Sequence, residues 1–101
     1  MGSSTIRYKV RPDRAAENET LVKAVYEQLN RERPGELHYA TFKLDDGVSF
    51  VHVASQTAES NPLGDIAAFA RFQEGIGARC DEPPVVHELS EVGSFRFPGA
   101  A

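Results

Sequence analysis

The sequence predicts one α+β domain whose elements follow the order β-α-β-β-α-β. Three observations predict it: an alternating run near the N-terminus, a pair of alternating runs around Asp46-Gly47, and two stretches with helical periodicity. A chain of 101 residues suits a single hydrophobic core. We therefore expect one domain over residues 1–101, with its core in residues 5–97 and with residues 1–4 disordered or derived from cloning.

Composition and charge exclude several classes of protein. The formal net charge is −4 and the sequence pI is about 5.3, which does not favour a nucleic-acid-binding surface. No apolar stretch approaches the roughly 20 residues of a membrane-spanning helix, and no apolar segment near the N-terminus is typical of a signal peptide. A single cysteine, Cys80, fits a reducing compartment. We expect a cytoplasmic protein without nucleic-acid or membrane partners.

The central segment, residues 37–55, is predicted to form a β-hairpin. Two runs rich in aromatic and β-branched residues flank Asp46-Gly47, a pair typical of a two-residue type I′ turn. With that turn, the opposed pairs are Phe42 with Val51, Thr41 with His52, and Tyr39 with Ala54. This register assigns every side chain of the hairpin to one of two faces.

The two predicted faces differ in polarity. An apolar face, predicted to be the core side, carries Ala40, Phe42, Leu44, Val51 and Val53. A mixed face carries Tyr39, Thr41, Lys43, Phe50, His52 and Ala54. Two helices can cover one face only, and exposed aromatic residues on the other imply a partner surface. The mixed face is therefore predicted to contact a partner.

The remaining elements follow from periodicity and from helix-breaking residues. The first strand spans residues 5–11, with Ile6, Tyr8 and Val10 on one side. The first helix spans residues 14–32 and buries one stripe, and Pro34-Gly35 ends it. The stripe consists of Leu21, Val22, Val25, Tyr26 and Leu29.

The C-terminal third is predicted to hold a helix and the last strand. Asn61 is the expected N-cap, followed by Pro62 at the first helical position. Gly75 and Gly77 should fray or bend the far end of the helix, and Pro83-Pro84 is expected to terminate it. The fourth strand spans residues 85–91 and continues, past a bulge or kink at Gly93, to residue 97. This order of elements is the ferredoxin-like, split βαβ arrangement with a four-stranded antiparallel sheet.

Several motifs resemble the dimeric α+β barrel superfamily, and within it the small antibiotic-biosynthesis-monooxygenase-like proteins. They are the Arg-Pro-Asp before the first helix, Phe69 and Phe72 in the second, and the late Val-Gly-Ser-Phe-Arg-Phe. The resemblance implies a homodimeric barrel of two facing sheets. It also implies a small cytoplasmic monooxygenase-like protein that binds an aromatic or polyketide-type molecule and oxidises it with O2 and no cofactor. The chain lacks tryptophan, which the haem-degrading branch uses in its pocket, so haem degradation is not favoured.

His52 is the candidate catalytic residue because a histidine on the mixed face can act as a base near neutral pH. A cofactor-free oxygenation needs a substrate anion, formed when a base removes a phenol or enol proton. Arg7 or Lys9 of the first strand could stabilise that anion. Tyr8, Tyr26 and Tyr39 could each hold a phenolic ligand, although such tyrosines more often pack their rings. The predicted ligand-binding residues are Arg7, Tyr39, Thr41, Phe50, Phe69 and Phe72.

Other readings of these residues stay open. His52 and the tyrosines could simply pack in the interface of a non-catalytic dimeric binding module, and Phe69 and Phe72 fit a core stripe better than a pocket. An isomerase or cyclase would use the same scaffold without O2. No H-x-x-x-H or C-x-x-C spacing appears, so no metal site is expected. Cys80 beside Asp81 and Glu82 is predicted to be structural.

Overall fold

A computed structural model of the chain describes residues 2–35, 37–56 and 62–96 and confirms the ferredoxin-like α+β arrangement. The strands are β1 (Gly2–Val10), β2 (Leu37–Lys43), β3 (Ser49–Gln56) and β4 (Cys80–Leu89). They form one antiparallel sheet in the order β2-β3-β1-β4. The helices are α1 (Ala15–Glu32), α2 (Ala67–Gln73) and α3 (Ile76–Arg79).

The first strand begins earlier than predicted. Ser3 and Ser4 pair with Ser55 and Ala54 of β3 on one side, and with the end of β4 on the other. A strand with neighbours on both sides satisfies its backbone groups along its whole length. The first strand therefore starts at Gly2 and not at Thr5 as predicted.

The register of the hairpin is the predicted one, whereas its turn is different. Phe42 pairs with Val51, and the other two predicted pairs also form. Gly47 has φ 78°, but Asp46 does not have the positive φ that a type I′ turn requires. Instead the Asp46 carboxylate accepts hydrogen bonds from the backbone N–H groups of Val48 and Ser49, at 2.9 and 2.8 Å. The longer loop leaves the pairing unchanged because Leu44 still bonds opposite Ser49.

The first helix carries the predicted buried stripe and one polar residue in line with it. Val22 and Val25 are buried, and Leu21 and Leu29 pack against the same core. Asn18, one turn before Val22, has no exposed surface. A short 3-10 turn, Pro12–Arg14, leads into the helix. The stripe therefore places the amide side chain of Asn18 against the sheet.

The second helical stretch breaks where glycine was expected to bend it. Helix α2 ends at Gln73, and Gly75 adopts φ 75° before the single turn of α3. The predicted N-cap, Asn61, lies outside the described residues. Pro83-Pro84 does not end a helix; it lies within β4, an edge strand, where the register with β1 shifts by a bulge. Edge strands and bulges are where a sheet tolerates proline.

The fourth strand is displaced towards the N-terminus relative to the prediction. It spans Cys80–Leu89, and residues 90–96 form no strand. Residue 97, the predicted end of the strand, lies outside the described residues. Because strands β1 and β4 pair from Cys80 onwards, the strand starts immediately after α3.

The predicted assignment of the two sheet faces is wrong. The helices cover the mixed face: Phe50 is 2% exposed and His52 is 3% exposed, whereas Phe42 of the apolar face is 55% exposed. The core cluster accordingly joins Tyr8 and Phe50 of the sheet to Val25 and Phe72 of the helices. The physical reason is that large rings bury more surface than valine or alanine, and that the helices supply partners for the polar groups.

Candidate functional site

Residues from two central strands, an edge strand and α2 form a cluster between the sheet and the helices. His52 lies on β3, next to Ile6 of β1 and Thr41 of β2 in the same cross-strand row. Because paired residues of antiparallel strands share a face, neighbouring rows bring further side chains to it. We call this set the His52 cluster: Tyr8, Tyr39, Thr41, His52, Phe69 and Phe72.

Both ring nitrogens of His52 contact hydroxyl groups. The Tyr8 hydroxyl lies 2.8 Å from Nε2. The Tyr39 hydroxyl lies 2.6 Å from Nδ1, and the Thr41 hydroxyl lies 3.1 Å from the same nitrogen. The Tyr26 hydroxyl of α1 contacts Thr41 Oγ1 at 2.7 Å. His52 is thus the centre of a hydrogen-bonded chain that joins three strands to α1.

The hydrogen-bonded chain continues to a buried arginine, Arg79, which fixes the orientation of the Asn18 amide. Arg79 Nε donates to Asn18 Oδ1 at 3.1 Å, so the amide nitrogen of Asn18 donates to the Tyr8 hydroxyl at 2.9 Å. Arginine has no acceptor, which excludes the opposite orientation of the amide. The Tyr8 hydroxyl thus accepts from Asn18 and can donate its own hydrogen to His52 Nε2; in that tautomer the ring proton is on Nδ1, facing Tyr39 and Thr41.

Arg79 holds a positive charge inside the protein. It is 2% exposed, and its terminal nitrogens donate to the backbone carbonyls of Phe72 at 2.6 Å and Glu74 at 3.2 Å. Its guanidinium also lies 5.4 Å from the centre of the Phe72 ring, within cation–π range. Carbonyls at the end of α2 carry partial negative charge and so stabilise the cation. No carboxylate among the described residues bonds to it.

Aromatic rings surround His52. Its ring centre lies 5.2 Å from that of Phe72, 5.3 Å from Tyr8 and 5.8 Å from Tyr39. Phe69 meets Tyr39 edge-on at 6.4 Å. Such distances are typical of packed aromatic groups. The imidazole therefore lies in an apolar enclosure with hydroxyl groups at its two nitrogens.

This enclosure determines which groups are charged. Burial lowers the pKa of His52 to about 4, so the ring is neutral at pH 7. Burial likewise raises the pKa of the Tyr8 and Tyr39 phenols, and it raises that of Tyr26 to about 12. Hydrogen bonding from Asn18 and the charge of Arg79 partly oppose the rise at Tyr8. The resting network consists of neutral groups with one permanent cation at its end.

The structure brings together four of the predicted ligand-binding residues with the predicted catalytic residue. Tyr39, Thr41, Phe69 and Phe72 all lie in the His52 cluster. The fifth, Phe50, stacks on Tyr8 with ring centres 5.6 Å apart. Their roles as ligand contacts stay predictions.

Arg7 is the exception. It pairs with Val51 of β3 and Val85 of β4, on the side of the sheet away from the helices, and Lys9 has the same orientation. The predicted help of Arg7 or Lys9 to a charge beside His52 is therefore wrong. Alternation along β1 places these cations opposite Tyr8 and Val10, which are both buried.

Two members of the network were missed at the sequence level. Arg79 carries the cation that Arg7 was expected to supply, and Asn18 connects it to Tyr8. Asn18 had a detectable signal, because it lies four residues before Val22 in an otherwise apolar stripe. A polar residue in such a stripe needs a polar partner on the surface that it meets. Arg79 follows a broken helix and gave no comparable signal.

Three further observations concern metal ligands, the cysteine and membrane-spanning helices. Within the described ranges, no three His, Cys, Asp or Glu side chains lie together as metal ligands. Burial raises the pKa of the Cys80 thiol, which lies at the start of β4 and not in a helix as predicted. No helix in the described part of the chain is both long and apolar enough to cross a membrane.

Comparisons with known proteins place the fold in one group. No protein-family model and no curated protein matches the sequence. Among solved structures, a protein from Nitrosomonas europaea named as a candidate antibiotic biosynthesis monooxygenase matches with a TM-score of 0.74 at 17% identity, covering 92% of this chain and 100% of that one. Rv0793 from Mycobacterium tuberculosis matches with a TM-score of 0.73 at 16% identity, covering 92% and 96%.

A third structure carries a named activity. SnoaB, described as a cofactor-independent oxygenase from Streptomyces nogalater and solved as a mutant, matches with a TM-score of 0.65 at 15% identity. The match covers 95% of this chain and 97% of SnoaB. The chain therefore has the fold of antibiotic-biosynthesis-monooxygenase-like proteins over most of its length, as the sequence motifs predicted. At these identities the likeness concerns the fold, and the site has to be argued from its own residues.

Proposed function

We propose that this chain is a homodimeric, monooxygenase-like protein that binds a phenolic or polyketide-type aromatic molecule and oxidises it with O2 without a cofactor. The observation that supports the proposal is His52: a neutral, buried base between two tyrosine hydroxyls, enclosed by aromatic rings. It lies in a fold shared with a named cofactor-independent oxygenase. The cytoplasmic location expected from the single cysteine is part of this proposal.

The chemistry needs a proton acceptor and an environment that favours an anion. In the tautomer in which Tyr8 donates to His52 Nε2, a ligand hydroxyl that donates to Tyr8 can pass its proton through Tyr8 to His52. The transfer creates a phenolate and an imidazolium, which attract each other strongly where water is excluded. The buried charge of Arg79 also favours the phenolate.

The oxidation balances without an external reductant. The phenolate transfers an electron to O2, the resulting radicals join at a ring carbon, and the peroxide loses water. One oxygen atom of O2 enters the ring as a quinone carbonyl, and the other leaves as water. The phenol is the four-electron donor, so no flavin, haem or metal enters the balance.

The homodimer is proposed through the face of the sheet that the helices leave open. This open face carries Phe42 and Val85, which are 55% and 52% exposed, in one cross-strand row with Val51. Leu89, 44% exposed, lies two rows away. Arg7 lies between Val51 and Val85 in this row, so the exposed apolar side chains share one face without being continuous. Exposed apolar side chains grouped on one face and flanked by polar residues mark a protein contact.

Oxygen consumption tests the catalytic proposal. We expect the protein to consume O2 in an electrode chamber with an anthrone or a hydroquinone as probe, and we expect His52→Gln to lose most of that rate. Glu27→Gln, at an exposed position of α1 outside both the His52 cluster and the open face, is the control and should behave as the wild type. Equal rates for wild type and His52→Gln, above the rate without protein, would contradict the role of His52.

A second function is favoured by a specific observation. Both nitrogens of His52 are hydrogen-bonded within the chain, and a pKa of about 4 makes the ring a weak base. These features fit a non-catalytic dimeric module in which the network specifies the packing of the core. Binding of an aromatic probe without O2 consumption would favour the module over the enzyme.

A further inference from the structure

A groove runs between the C-terminal half of α1 and the start of β2. Its volume is about 270 Å³, just below the range of typical small-molecule pockets, which suits a ligand of one or two rings. The groove is separate from the His52 cluster except for Tyr39, which belongs to both. The lining residues are Tyr26, Leu29, Asn30, Arg33, Pro34, Leu37 and Tyr39.

The wall of the groove includes two tyrosine rings, Tyr26 and Tyr39. Tyr26 and Tyr39 stack with ring centres 5.4 Å apart and planes 17° apart. Their hydroxyls are tied to the network, since Tyr26 contacts Thr41 and Tyr39 contacts His52. Both rings are therefore held in place by hydrogen bonds behind the groove. A flat aromatic ligand that binds beside these rings therefore does not have to immobilise their side chains.

Arg33 supplies the charge of the groove. Among the described residues of the lining it is the one that is charged; its side chain is exposed, and it forms no ion pair with another described residue. A guanidinium can bind a carboxylate through two parallel hydrogen bonds. Asn30, one turn earlier on α1, adds an amide donor at the same end.

The backbone of Arg33 has an unusual conformation. The residue caps α1 with φ 48° and ψ 59°, and its N–H donates to the carbonyl of Leu29 at 2.7 Å. This left-handed cap position is normally filled by glycine or asparagine, because a larger side chain is strained there. An arginine in this strained conformation is a candidate functional residue.

We propose that this groove binds an aromatic carboxylate, with the carboxylate on Arg33 and the ring against Tyr26 and Tyr39. The inference rests on the proposed function, since it names the ligand class and a docking site beside the His52 cluster. It adds that the ligand carries an acidic group, which Arg33 selects by charge. Leu29, Leu37 and Pro34 provide apolar contacts around the ring.

Titration with 4-hydroxybenzoate, followed by backbone amide shifts in NMR spectra, tests the groove. We expect shifts in residues 26–39, and affinity at least about tenfold lower in Arg33→Asn, a loss typical of one charge-assisted hydrogen bond. Asparagine tolerates the left-handed cap, so this variant keeps the fold. Arg31→Asn, an exposed arginine of the same last turn that is outside the lining, is the matched control. It should bind as the wild type does.

The neutral analogue 4-hydroxybenzyl alcohol separates charge from ring binding. It should bind more weakly than 4-hydroxybenzoate and equally to the wild type and Arg33→Asn. Equal affinity of 4-hydroxybenzoate for the wild type and Arg33→Asn, or no binding at about 5 mM, where even weak specific contacts become visible, would overturn the groove proposal.

Binding titrations together with O2 consumption distinguish failure of the groove proposal from failure of the oxygenase proposal. If a neutral quinol binds and is oxidised while Arg33→Asn changes nothing, the groove proposal fails and the oxygenase proposal stands. If aromatic acids bind at Arg33 but no probe consumes O2, the groove stands and the oxygenase proposal fails.

Discussion

The two faces of the sheet differ in polarity and in the partners that their side chains find. The helix-facing side carries histidine and tyrosine, yet its polar atoms are paired within the chain, from Arg79 through Asn18 to His52. The open face carries the residues with the more apolar pattern, and Phe42 stays 55% exposed. The comparison teaches that partner availability, and not hydropathy alone, decides which face of a strand is interior.

The difference predicts where the molecule is sensitive. A buried polar network stabilises a unique packing when complete and is costly when one member is lost. The open face contributes little to the stability of the monomer, because its side chains have few neighbours above them. Substitutions on the two faces should therefore separate folding from association.

Arg79→Met should produce the largest loss of stability. It leaves three acceptors unpaired: the buried Asn18 side-chain carbonyl and Phe72 backbone carbonyl, and the partly buried backbone carbonyl of Glu74. Each unpaired acceptor costs about 1–3 kcal/mol, and removal of the buried charge of Arg79 offsets part of that cost. The free energy of unfolding should therefore fall by about 4 kcal/mol. Urea denaturation measures it.

Arg31→Met is the control for this change. Arg31 lies exposed near the end of α1, so its substitution should change the free energy of unfolding by less than about 0.5 kcal/mol. If Arg79→Met were as stable as Arg31→Met, the buried hydrogen bonds would not carry the stability assigned to them.

The next effect in size is the pH dependence of stability. The pKa of His52 is lowered to about 4 in the folded chain from 6.5. As the pH falls from 6.5 towards 4, the unfolded chain takes up a proton that the folded chain does not. Stability is therefore full above pH 6.5 and falls on acidification, by roughly 3 kcal/mol once the pH is below 4.

Urea denaturation between pH 4 and 7 measures this dependence, with His52→Gln as the reference. The variant should lose the part of the slope that comes from His52 and keep the remainder. The same slope in both proteins would show that His52 titrates alike in the folded and unfolded chains, and that the enclosure does not hold its ring neutral.

Gly47→Ala should have a smaller effect, at the turn whose register assigns the faces. Gly47 has φ 78° and open space around its Cα, so an alanine there is strained without a clash. We expect a loss of about 1 kcal/mol in the free energy of unfolding. Gly35 is also in open space but has no positive φ, so Gly35→Ala should not lower the melting temperature. Thermal denaturation of both variants measures the difference. Equal melting temperatures for the two variants would contradict the strain argument.

Much of the fold could be predicted because local patterns specify it. The alternation around Asp46-Gly47 predicted the register of the hairpin. This register is correct although the turn type was wrong, because the longer loop keeps the same residue pairs. The start of β4 could not be predicted in the same way. Pro83-Pro84 is a strong helix terminator in a sequence, and only its place on a bulged edge strand makes it tolerable in a sheet.

The site was predictable in part for a related reason. His52, Tyr39 and Thr41 met because the hairpin register brought them together. Their placement under the helices depends on Asn18 and Arg79, which are 61 residues apart in sequence and meet only in the folded chain. No local pattern encodes such a contact, so the predicted interface and the predicted interior were exchanged.

The most direct test of this account is the oligomeric state of Phe42→Lys, measured by sedimentation equilibrium. The account predicts a dimer for the wild type and a monomer for the variant, with similar urea stability per chain, since Phe42 lies on the open face and is largely exposed. A variant that stays dimeric, or a wild type that is monomeric at micromolar concentration, would contradict the assignment of the open face as the surface where two copies meet.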